Sequence, residues 1–327
     1  SATAIYGSRG SNGVILVTTK KGKTGKAQIT LDSTTTFETL TDLADYYDAG
    51  GYAEYRRDAL RYAGLYKDGA GNTLNYADPN LDFKYFGADK TAWENISAGY
   101  TWVDKANRVP VLTNGIPAYD GSKIPTTDWT KDVVQTGVIQ NHTLGISMGT
   151  DKIKTYASAG VLNQTGTIPG QDFRRYTGLL SVELKATDWF TMGGTINFNY
   201  SIQNYGYTGS GSRGSAQLYG AVRGQFPFAQ PYDADGNFIF NPGGSINVIN
   251  PIRDKDLVIN ERTTSRMFGS FFAEIKLAQG LKFKTIFGPD IRNWRNGQFQ
   301  FAESSIRGGT ATSTNYASLN KVENVSW

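Results

Sequence analysis

Residues 190–203 read Phe190-Thr191-Met192-Gly193-Gly194-Thr195-Ile196-Asn197-Phe198-Asn199-Tyr200-Ser201-Ile202-Gln203. Apolar and polar side chains largely alternate along this stretch, which is the period of a β-strand with one apolar and one wet face. The stretch is longer than an average strand of a soluble protein, and it exceeds the ~9 to 11 residues that a tilted strand needs to cross a bilayer. It therefore predicts a strand in the wall of a membrane barrel.

The same alternation recurs along the chain and predicts about seven strands after residue 26, with the start of an eighth near Trp327. The other candidate strands lie at 29–38, 143–148, 154–163, 176–185, 267–277 and 281–292. We expect one set of side chains to face lipid: Leu144, Ile146, Leu180, Val182, Phe198, Tyr200, Phe271 and Ile275. A second set is expected to face the lumen: Thr143, Ser181, Glu183, Asn197, Asn199 and Glu274.

The connections between these strands alternate between short and long. Tight turns are predicted at Asp151-Lys152, Thr187-Asp188 and Gln279-Gly280, whereas long segments fill 41–138 and 206–263. Structureless loops of that length argue against a compact soluble domain. Outer-membrane barrels have this asymmetry, with short periplasmic turns and long extracellular loops.

Composition agrees with an all-β protein rich in turns and aromatic residues. The 327 residues include 38 Gly, 19 Tyr and 17 Phe, and no Cys, which excludes disulfides and cysteine-based metal sites. The mean hydropathy is -0.40, and no apolar run approaches the roughly 18 residues of a transmembrane helix, but barrel strands escape such a search. The net charge of +4 comes from mixed charges and does not favour nucleic acid.

The first residues differ from the rest. Gly7 ends a short predicted helix, Asn12-Gly13 is a tight-turn pair, and Val14 to Thr19 is apolar on both faces. A strand buried on both sides does not belong to the lipid-facing pattern. We therefore expect Val14 to Thr19 to lie in a small globular element inside the barrel, and Lys20 to Lys26 to cross to the wall near the periplasmic rim.

This segment resembles the end of the plug domain of TonB-dependent transporters, and Asn12-Gly13-Val14-Ile15 points to the SusC/RagA type. The signature residues are Tyr6, Gly7, Arg9, Gly10, Asn12 and Gly13. The stretches Thr127-Asp128-Trp129, Gln140-Asn141-His142, Leu162-Asn163-Gln164 and Phe173-Arg174-Arg175-Tyr176 also resemble that type. The resemblance covers at most half of the chain, and the loops match only in general character.

The resemblance implies a plugged, antiparallel barrel of about 22 strands. The end of the plug would occupy 1–23, and 24–327 would form the first barrel strands. An open wall would expose unpaired edges to lipid, so we expect the chain to be a portion of a longer protein. The implied function is TonB-dependent import of glycans or peptides across the bacterial outer membrane. The implied partners are a SusD-like surface lipoprotein as a lid, the TonB complex, outer-membrane lipid, and a second transporter–lipoprotein pair in a homodimer.

A passive porin or an adhesion barrel is the alternative, and an enzyme or a nucleic-acid-binding protein is not expected. Gly209 to Gly214 satisfies a dinucleotide fingerprint, but the preceding strand alternates, which favours a flexible loop over a cofactor site. Asp233 to Asn237 resembles the start of a calcium loop, yet a hairpin turn explains it better than a metal. The single histidine, His142, fits a barrel rim rather than a catalytic site.

Two further features lie in the first long segment. Asp48 is predicted to cap a helix over Ala49 to Ala63, with the stripe Tyr52, Tyr55, Ala59 and Tyr62 packed on the loop's own core. The tryptophans Trp93, Trp102 and Trp129 are expected to anchor loop cores, with stacking on sugar rings as the alternative.

Overall fold

The computed structural model describes residues 20–41, 45–86, 90–207, 218–243, 249–309 and 312–327. The largest unit of the described chain is one antiparallel sheet, which we call the wall. Its strands are β1 (Gly25–Glu38), β2 (Gly137–Gly149), β3 (Ile153–Thr165), β4 (Gln171–Lys185), β5 (Phe190–Tyr205), β6 (Val258–Ala278), β7 (Leu281–Phe287), β8 (Asp290–Gln300) and β9 (Tyr316–Ser326). Each strand pairs with its neighbour in the order β1-β2-β3-β4-β5-β6-β8-β9, and β7 also pairs with β6.

The strands β7 and β8 form one line along the same edge of β6. β7 pairs with Phe271 to Ala278, and β8 pairs with Val258 to Phe268. The ladder is interrupted at Gly288-Pro289, because proline has no N–H to donate. Gly269 N donates to Pro289 O at 2.9 Å and keeps the two halves aligned.

The register gives the wall two unlike faces. One row of paired residues is apolar or glycine across eight strands: Leu31, Leu144, Ala159, Gly178, Phe198, Met267, Ile291 and Val325. The neighbouring row, on the other face, is polar, charged or glycine: Asp32, Thr143, Gly160, Thr177, Asn199, Arg266, Arg292 and Asn324. The side chains expected to face lipid all lie on the apolar face, and those expected to face the lumen lie on the polar face.

The two ends of the wall are equally unlike. Tight turns join β2 to β3, β4 to β5 and β6 to β7, and Gly280 takes a positive φ of 82° in the last of them. At the opposite end, β1 is separated from β2 by residues 39–136, and β5 from β6 by residues 206–257. The second long segment therefore ends before Thr263, where it was expected to end, because β6 already pairs with β8 from Val258 and with β5 from Glu261.

The long segments contain helices of their own, which the sequence reading had largely treated as irregular. These are α1 (Ala49–Tyr62), α2 (Pro79–Phe86), α3 (Lys90–Ser97), α4 (Leu218–Arg223) and α5 (Pro251–Asp254). Two short hairpins pair Trp102–Asp104 with Val109–Pro110 and Leu112–Thr113 with Ile116–Pro117. Among the described residues, no helix is both long and apolar enough to span a membrane.

The two long segments pack together into a single unit, which we call the loop domain. Phe228 from the second segment is buried among Ala49, Ala53 and Ile96 of the first. Asn95 Nδ2 donates to Phe228 O at 2.9 Å, and Trp129 Nε1 donates to Phe226 O at 3.1 Å. The main buried clusters of the chain therefore lie in the loop domain, at one end of the wall.

We predict that cysteines introduced at Leu180 and Phe198 react with a membrane-restricted label, while cysteines at Asn197 and Asn199 react only with a water-soluble one. The register places the two pairs on opposite faces, since neighbouring strand residues alternate. The measurement is labelling of the full-length protein in native membranes. Equal labelling of both pairs by the membrane-restricted reagent would contradict the two-faced wall.

Candidate functional site

The polar face of the wall carries ion pairs as well as neutral polar groups. Arg266 donates to both carboxylate oxygens of Asp290, at 2.9 and 2.5 Å, and Lys282 Nζ lies 3.1 Å from Glu274 Oε1. Both pairs are partly exposed, so they contribute little to stability. What they provide is a charged, partly exposed surface on this face of the wall.

The segment before β1 crosses this polar face near the tight turns. Lys21 Nζ lies 3.3 Å from Glu183 Oε2, and Lys23 N donates to Ser147 Oγ at 3.2 Å. Between them Gly22 is buried, and a Cβ there would lie 2.3 Å from Thr155 N. Only glycine fits this crossing. The signature residues Tyr6, Gly7, Arg9, Gly10, Asn12 and Gly13, and the strand Val14 to Thr19, lie outside the described residues.

A recess of about 390 Å³ opens on the wall at the loop-domain end, and we call it the rim recess. Its polar-face lining combines amides with aromatic rings: Gln164, Gln171, Phe173, Gln203 and Tyr205. Amides both donate and accept hydrogen bonds, and rings offer apolar faces. This combination suits neutral polar ligands such as sugars and peptide groups.

Two arginines lie on the same face beside the rim recess. Arg262 is opposite Gln203, with its guanidinium carbon 5.6 Å from the Tyr205 ring centre and 5.1 Å from that of Trp294. Contact with two rings orients the guanidinium through cation–π attraction. Arg175 Nε is buried, and no described residue accepts a hydrogen bond from it. The rim recess therefore has donors suited to hydroxyl, carbonyl or carboxylate oxygens.

The loop domain is built around a buried ion pair. Arg57 of α1 donates from Nε to Asp82 Oδ1 at 3.1 Å and from Nη2 to Asp82 Oδ2 at 2.6 Å, and both side chains are fully buried. Tyr66 and Tyr100 donate to the same carboxylate at 2.7 and 2.5 Å. The guanidinium also lies 4.2 Å from the centre of the Tyr119 ring. Satisfying every carboxylate lone pair makes such a burial tolerable.

Three side chains of this cluster, Arg57, Tyr66 and Tyr100, have raised pKa values. Burial alone would lower the pKa of Arg57, but the hydrogen bonds and charge of Asp82 hold it above its usual range. Burial, reinforced by the charge of Asp82, raises the pKa of Tyr66 and of Tyr100. Arg57 therefore keeps its charge, and the two tyrosine hydroxyls keep their protons, at physiological pH. The cluster is a structural contact that holds α1 against α2.

The predicted helix α1 forms, but its buried face is not the predicted one. Asp48 caps it by accepting from Gly51 N at 2.6 Å, whereas the buried residues are Ala49, Ala53 and Arg57. Tyr55 is 54% exposed and Tyr62 is 97% exposed, so the expectation that both pack on the core is wrong. The ion pair with Asp82 turns the arginine inward and these tyrosines outward. Tyr47 stacks on Tyr55 at 5.7 Å and extends the exposed aromatic surface.

The three loop tryptophans have packing roles. Trp129 is buried in a core cluster, and Trp93 lies edge-on to Trp102 at 6.1 Å. Trp102 Nε1 also donates to Ser97 O at 3.0 Å. The expectation that these residues anchor loop cores agrees with these contacts.

The other motifs singled out in the sequence serve local structure where the structure describes them. Asp233 accepts from the backbone N–H of Asp235 and Asn237, in a turn closed by a bridge between Tyr232 and Phe238. His142 lies within β2, with its Nδ1 2.8 Å from Ser33 Oγ on β1. The glycine-rich stretch Gly209 to Gly214 lies outside the described residues. No cluster of metal-ligating side chains occurs among the residues that the structure describes.

Comparison with known proteins is consistent with this geometry. No family model matches the chain. TonB-dependent receptor P3 of Formosa agariphila is 27% identical over 337 residues, covering 98% of this chain and 28% of that protein. TonB-dependent receptor SusC of Bacteroides thetaiotaomicron is 27% identical over 256 residues, covering 77% of this chain and 20% of that protein. The chain thus spans less than a third of either relative.

Solved structures show the same fold. The RagAB peptide transporter superposes with a TM-score of 0.66 at 19% identity, covering 98% of this chain and 34% of that one. The RagAB peptide importer in its closed-closed state gives 0.64 at 18% identity, with the same coverage. In sequence the chain is similar to TonB-dependent receptors, SusC among them, and its fold is that of the RagAB transporters. The wall is accordingly a portion of a SusC/RagA-type barrel, and the relatives are receptors and transporters, which fits a role other than catalysis.

Sequence reasoning named no substrate-binding residue in this chain and missed the rim recess. Its signal was present: Gln164, Gln171 and Gln203 all stand where alternating strands meet a connection on the loop-domain side. The buried Arg57 left no such signal, because its partner Asp82 lies on a different helix.

We predict that Arg57→Met loosens the loop domain without unfolding the wall. The substitution leaves Asp82 buried without its countercharge, which costs about 3–5 kcal/mol. Limited trypsin digestion of the full-length protein in detergent should then cut within 39–136 at least tenfold faster. Lys105→Met removes an exposed cation from the same segment and serves as the control. Equal digestion rates of the two variants would show that the ion pair does not stabilise the loop domain.

Proposed function

We propose that the complete protein imports glycans or peptides across the bacterial outer membrane, using work supplied by the TonB complex. The observation that carries the proposal is the wall itself, which is apolar on one face and polar on the other across eight paired strands. Such a sheet suits a barrel with lipid outside and water inside. The relatives named TonB-dependent receptors support an energy-coupled mode of transport.

The proposal assigns direction to the two ends of the wall. The tight turns face the periplasm and the loop domain faces the exterior, as in other outer-membrane barrels. Residues 1–23 would complete the plug inside the barrel, and 24–327 the first part of the wall. The crossing at Lys21, Gly22 and Lys23 supports this division, because it carries the chain across the polar face at the turn end.

A SusD-like lipoprotein would close the exterior end by docking on the loop domain. The exposed tyrosines Tyr47, Tyr55 and Tyr62 support such a surface, because tyrosine is enriched in protein interfaces. The buried ion pair beneath them keeps α1 rigid, so a lid would meet a preformed surface. The resemblance extends the proposal to a homodimer of transporter–lipoprotein pairs, which the mass of the solubilised complex would report.

We predict that uptake of labelled oligosaccharides or peptides by intact cells stops when TonB is deleted or the inner-membrane proton gradient is collapsed. A plugged barrel has no open path, so its cargo enters only when work moves the plug. The measurement is uptake at low external substrate by cells expressing the full-length protein. Import that continues unchanged in both conditions would favour a passive pore and defeat the proposal.

A second prediction locates the cargo path within the wall. Arg262→Ala should raise the half-saturating substrate concentration by about tenfold to a hundredfold, since a hydrogen bond to a charged group contributes about 1.5–3 kcal/mol. Arg295→Ala is the matched control, because Arg295 lies opposite Thr263, next to Arg262 in β6 but on the other face. Similar half-saturating concentrations for the two variants would remove the rim recess from the cargo path.

A further inference from the structure

The charged residues of the wall are divided unevenly between its two faces. On the apolar face the paired cations and acids are equal in number: Arg174, Arg295 and Lys321 against Asp172, Glu261 and Glu323. On the polar face the paired cations outnumber the acids. The cations are Lys154, Arg175, Lys185, Arg262, Arg266, Lys276, Lys282, Lys284 and Arg292, and the acids are Asp32, Glu38, Glu183, Glu274 and Asp290. The excess positive charge of the paired residues therefore lies on the face that the proposed barrel turns to its lumen.

Four arginines of the polar face lie close together, and we call them the arginine patch. Arg175 lies on β4, Arg262 and Arg266 on β6, and Arg292 on β8. The strand order is β4-β5-β6-β8, and the four residues occupy three successive rows of one face. Strand spacing and rise per residue then give a patch of about 14 Å by 13 Å. A patch of this size contacts several groups of one extended ligand.

Two arginines of the patch oppose each other. Arg266 and Arg292 are direct partners in the pairing of β6 with β8, and like charges in opposite positions destabilise a sheet. Asp290 accepts from Arg266 at 2.9 and 2.5 Å. None of the ion pairs among the described residues involves Arg292, which is exposed. One carboxylate thus serves two guanidinium groups, and a bound anion would complete the arrangement.

Arg175 also lacks an acceptor within the part of the chain that the structure describes. Its Nε is buried and makes no hydrogen bond there. Its direct cross-strand neighbours, Leu162 and Ser201, carry no charge. A buried donor without an acceptor is costly, so an oxygen atom of a ligand at this position would be stabilising.

Aromatic rings and amides lie among the arginines. The guanidinium carbon of Arg262 lies 5.6 Å from the Tyr205 ring centre and 5.1 Å from that of Trp294. Gln203 and Asn296 are its direct partners on the two neighbouring strands. Rings offer apolar faces on which sugar rings stack, and amides both donate to and accept from hydroxyl groups. The patch therefore combines groups for a sugar ring with groups for an acid.

A peptide would find fewer partners on this surface. Peptides that bind to sheets commonly add backbone hydrogen bonds at an open strand edge. Across the patch, β4, β5, β6 and β8 are each paired on both sides, so their backbone groups are already used. The patch offers side chains alone, which favours a ligand rich in hydroxyl and acid groups.

We propose that the arginine patch selects an acidic oligosaccharide as cargo, with carboxylate or sulfate groups on its sugars. Arg175 and Arg292 bind the acid groups, because a guanidinium forms paired N–H···O bonds with an oxyanion. Tyr205 and Trp294 stack on the sugar rings. The excess positive charge of the polar face attracts the same cargo over a longer distance. The inference rests on the proposed import function and narrows it to one class of cargo.

The test is retention of ligands by the full-length transporter in detergent, from a mixed pool of short neutral, uronate-containing and sulfated oligosaccharides and acidic peptides. Mass spectrometry of the retained fraction should find acidic oligosaccharides, and it distinguishes carboxylate from sulfate. The carboxyl-reduced or desulfated form of the retained oligosaccharide should bind at least about tenfold more weakly, because hydrogen bonds to a charged group are lost. Retention of neutral sugars, of peptides or of nothing would overturn the proposal.

Variants test whether the arginine patch is responsible. Arg292→Gln should weaken binding of the retained oligosaccharide by about tenfold and make binding less sensitive to salt, because one charge is removed. Arg292→Lys keeps the charge and should restore the salt sensitivity. Arg174→Gln is the matched control, since Arg174 is an exposed arginine on the other face, opposite Asn163 and Ile202. Equal affinities of Arg292→Gln and Arg174→Gln would overturn the assignment to the patch.

Uptake by intact cells separates this inference from the proposed function. Acidic oligosaccharides that bind to the transporter but enter cells equally well without TonB would contradict the proposed function alone. A neutral oligosaccharide whose entry through the transporter requires TonB would contradict only this inference.

Discussion

The register of the wall is the constraint on which the other features depend. Side chains alternate along a strand, so a slip of one residue between two strands would exchange their faces. The pairing that places Leu144 opposite Leu31 also places Thr143 opposite Asp32, and the same relation is passed on through β9. The apolar face, the polar face and the rim recess are all products of this one alignment.

The loop domain depends on a different kind of constraint. Here the chain is not held by a ladder, and the long segments are joined by side chains that are distant in sequence. Arg57 and Asp82 connect α1 with α2, and Asn95 connects the first segment with the second at Phe228. A buried ion pair is costly unless its geometry is complete, and the hydroxyls of Tyr66 and Tyr100 complete it. The loop-domain end of the wall is consequently a folded surface.

This difference explains what could be predicted from the sequence. The wall was predictable because the pattern that indicates a strand is local. The alternation of Phe198 and Tyr200 with Asn197 and Asn199 predicts both the strand and which side chains lie on each face. The loop domain was not, because the burial of Arg57 is decided by Asp82, and hydrophobic periodicity scores an arginine as exposed. The rim recess was partly predictable. The sequence shows Gln164, Gln171 and Gln203 near strand ends, but only the register of the strands shows that they lie close together on one face. The interruption at Pro289 was also hidden, because β7 and β8 read as one continuous pattern.

The segment Lys21 to Lys23, which crosses the polar face before β1, has a backbone path fixed by sterics but only weak side-chain and hydrogen-bond contacts. Gly22 leaves no space for a side chain against β3, so the path of the backbone is set by sterics. The flanking interactions, in contrast, are an exposed pair between Lys21 and Glu183 and one hydrogen bond from Lys23, neither of which holds strongly against water. In the proposed transporter this segment joins a movable plug to an immobile wall. A tight but weakly bonded crossing lets the wall keep its register while the segment before it is displaced, because no buried ion pair or apolar cluster has to break at the junction. The strongly bonded contact, between Arg57 and Asp82, lies instead in the loop domain, where the proposed docking surface has to keep its shape.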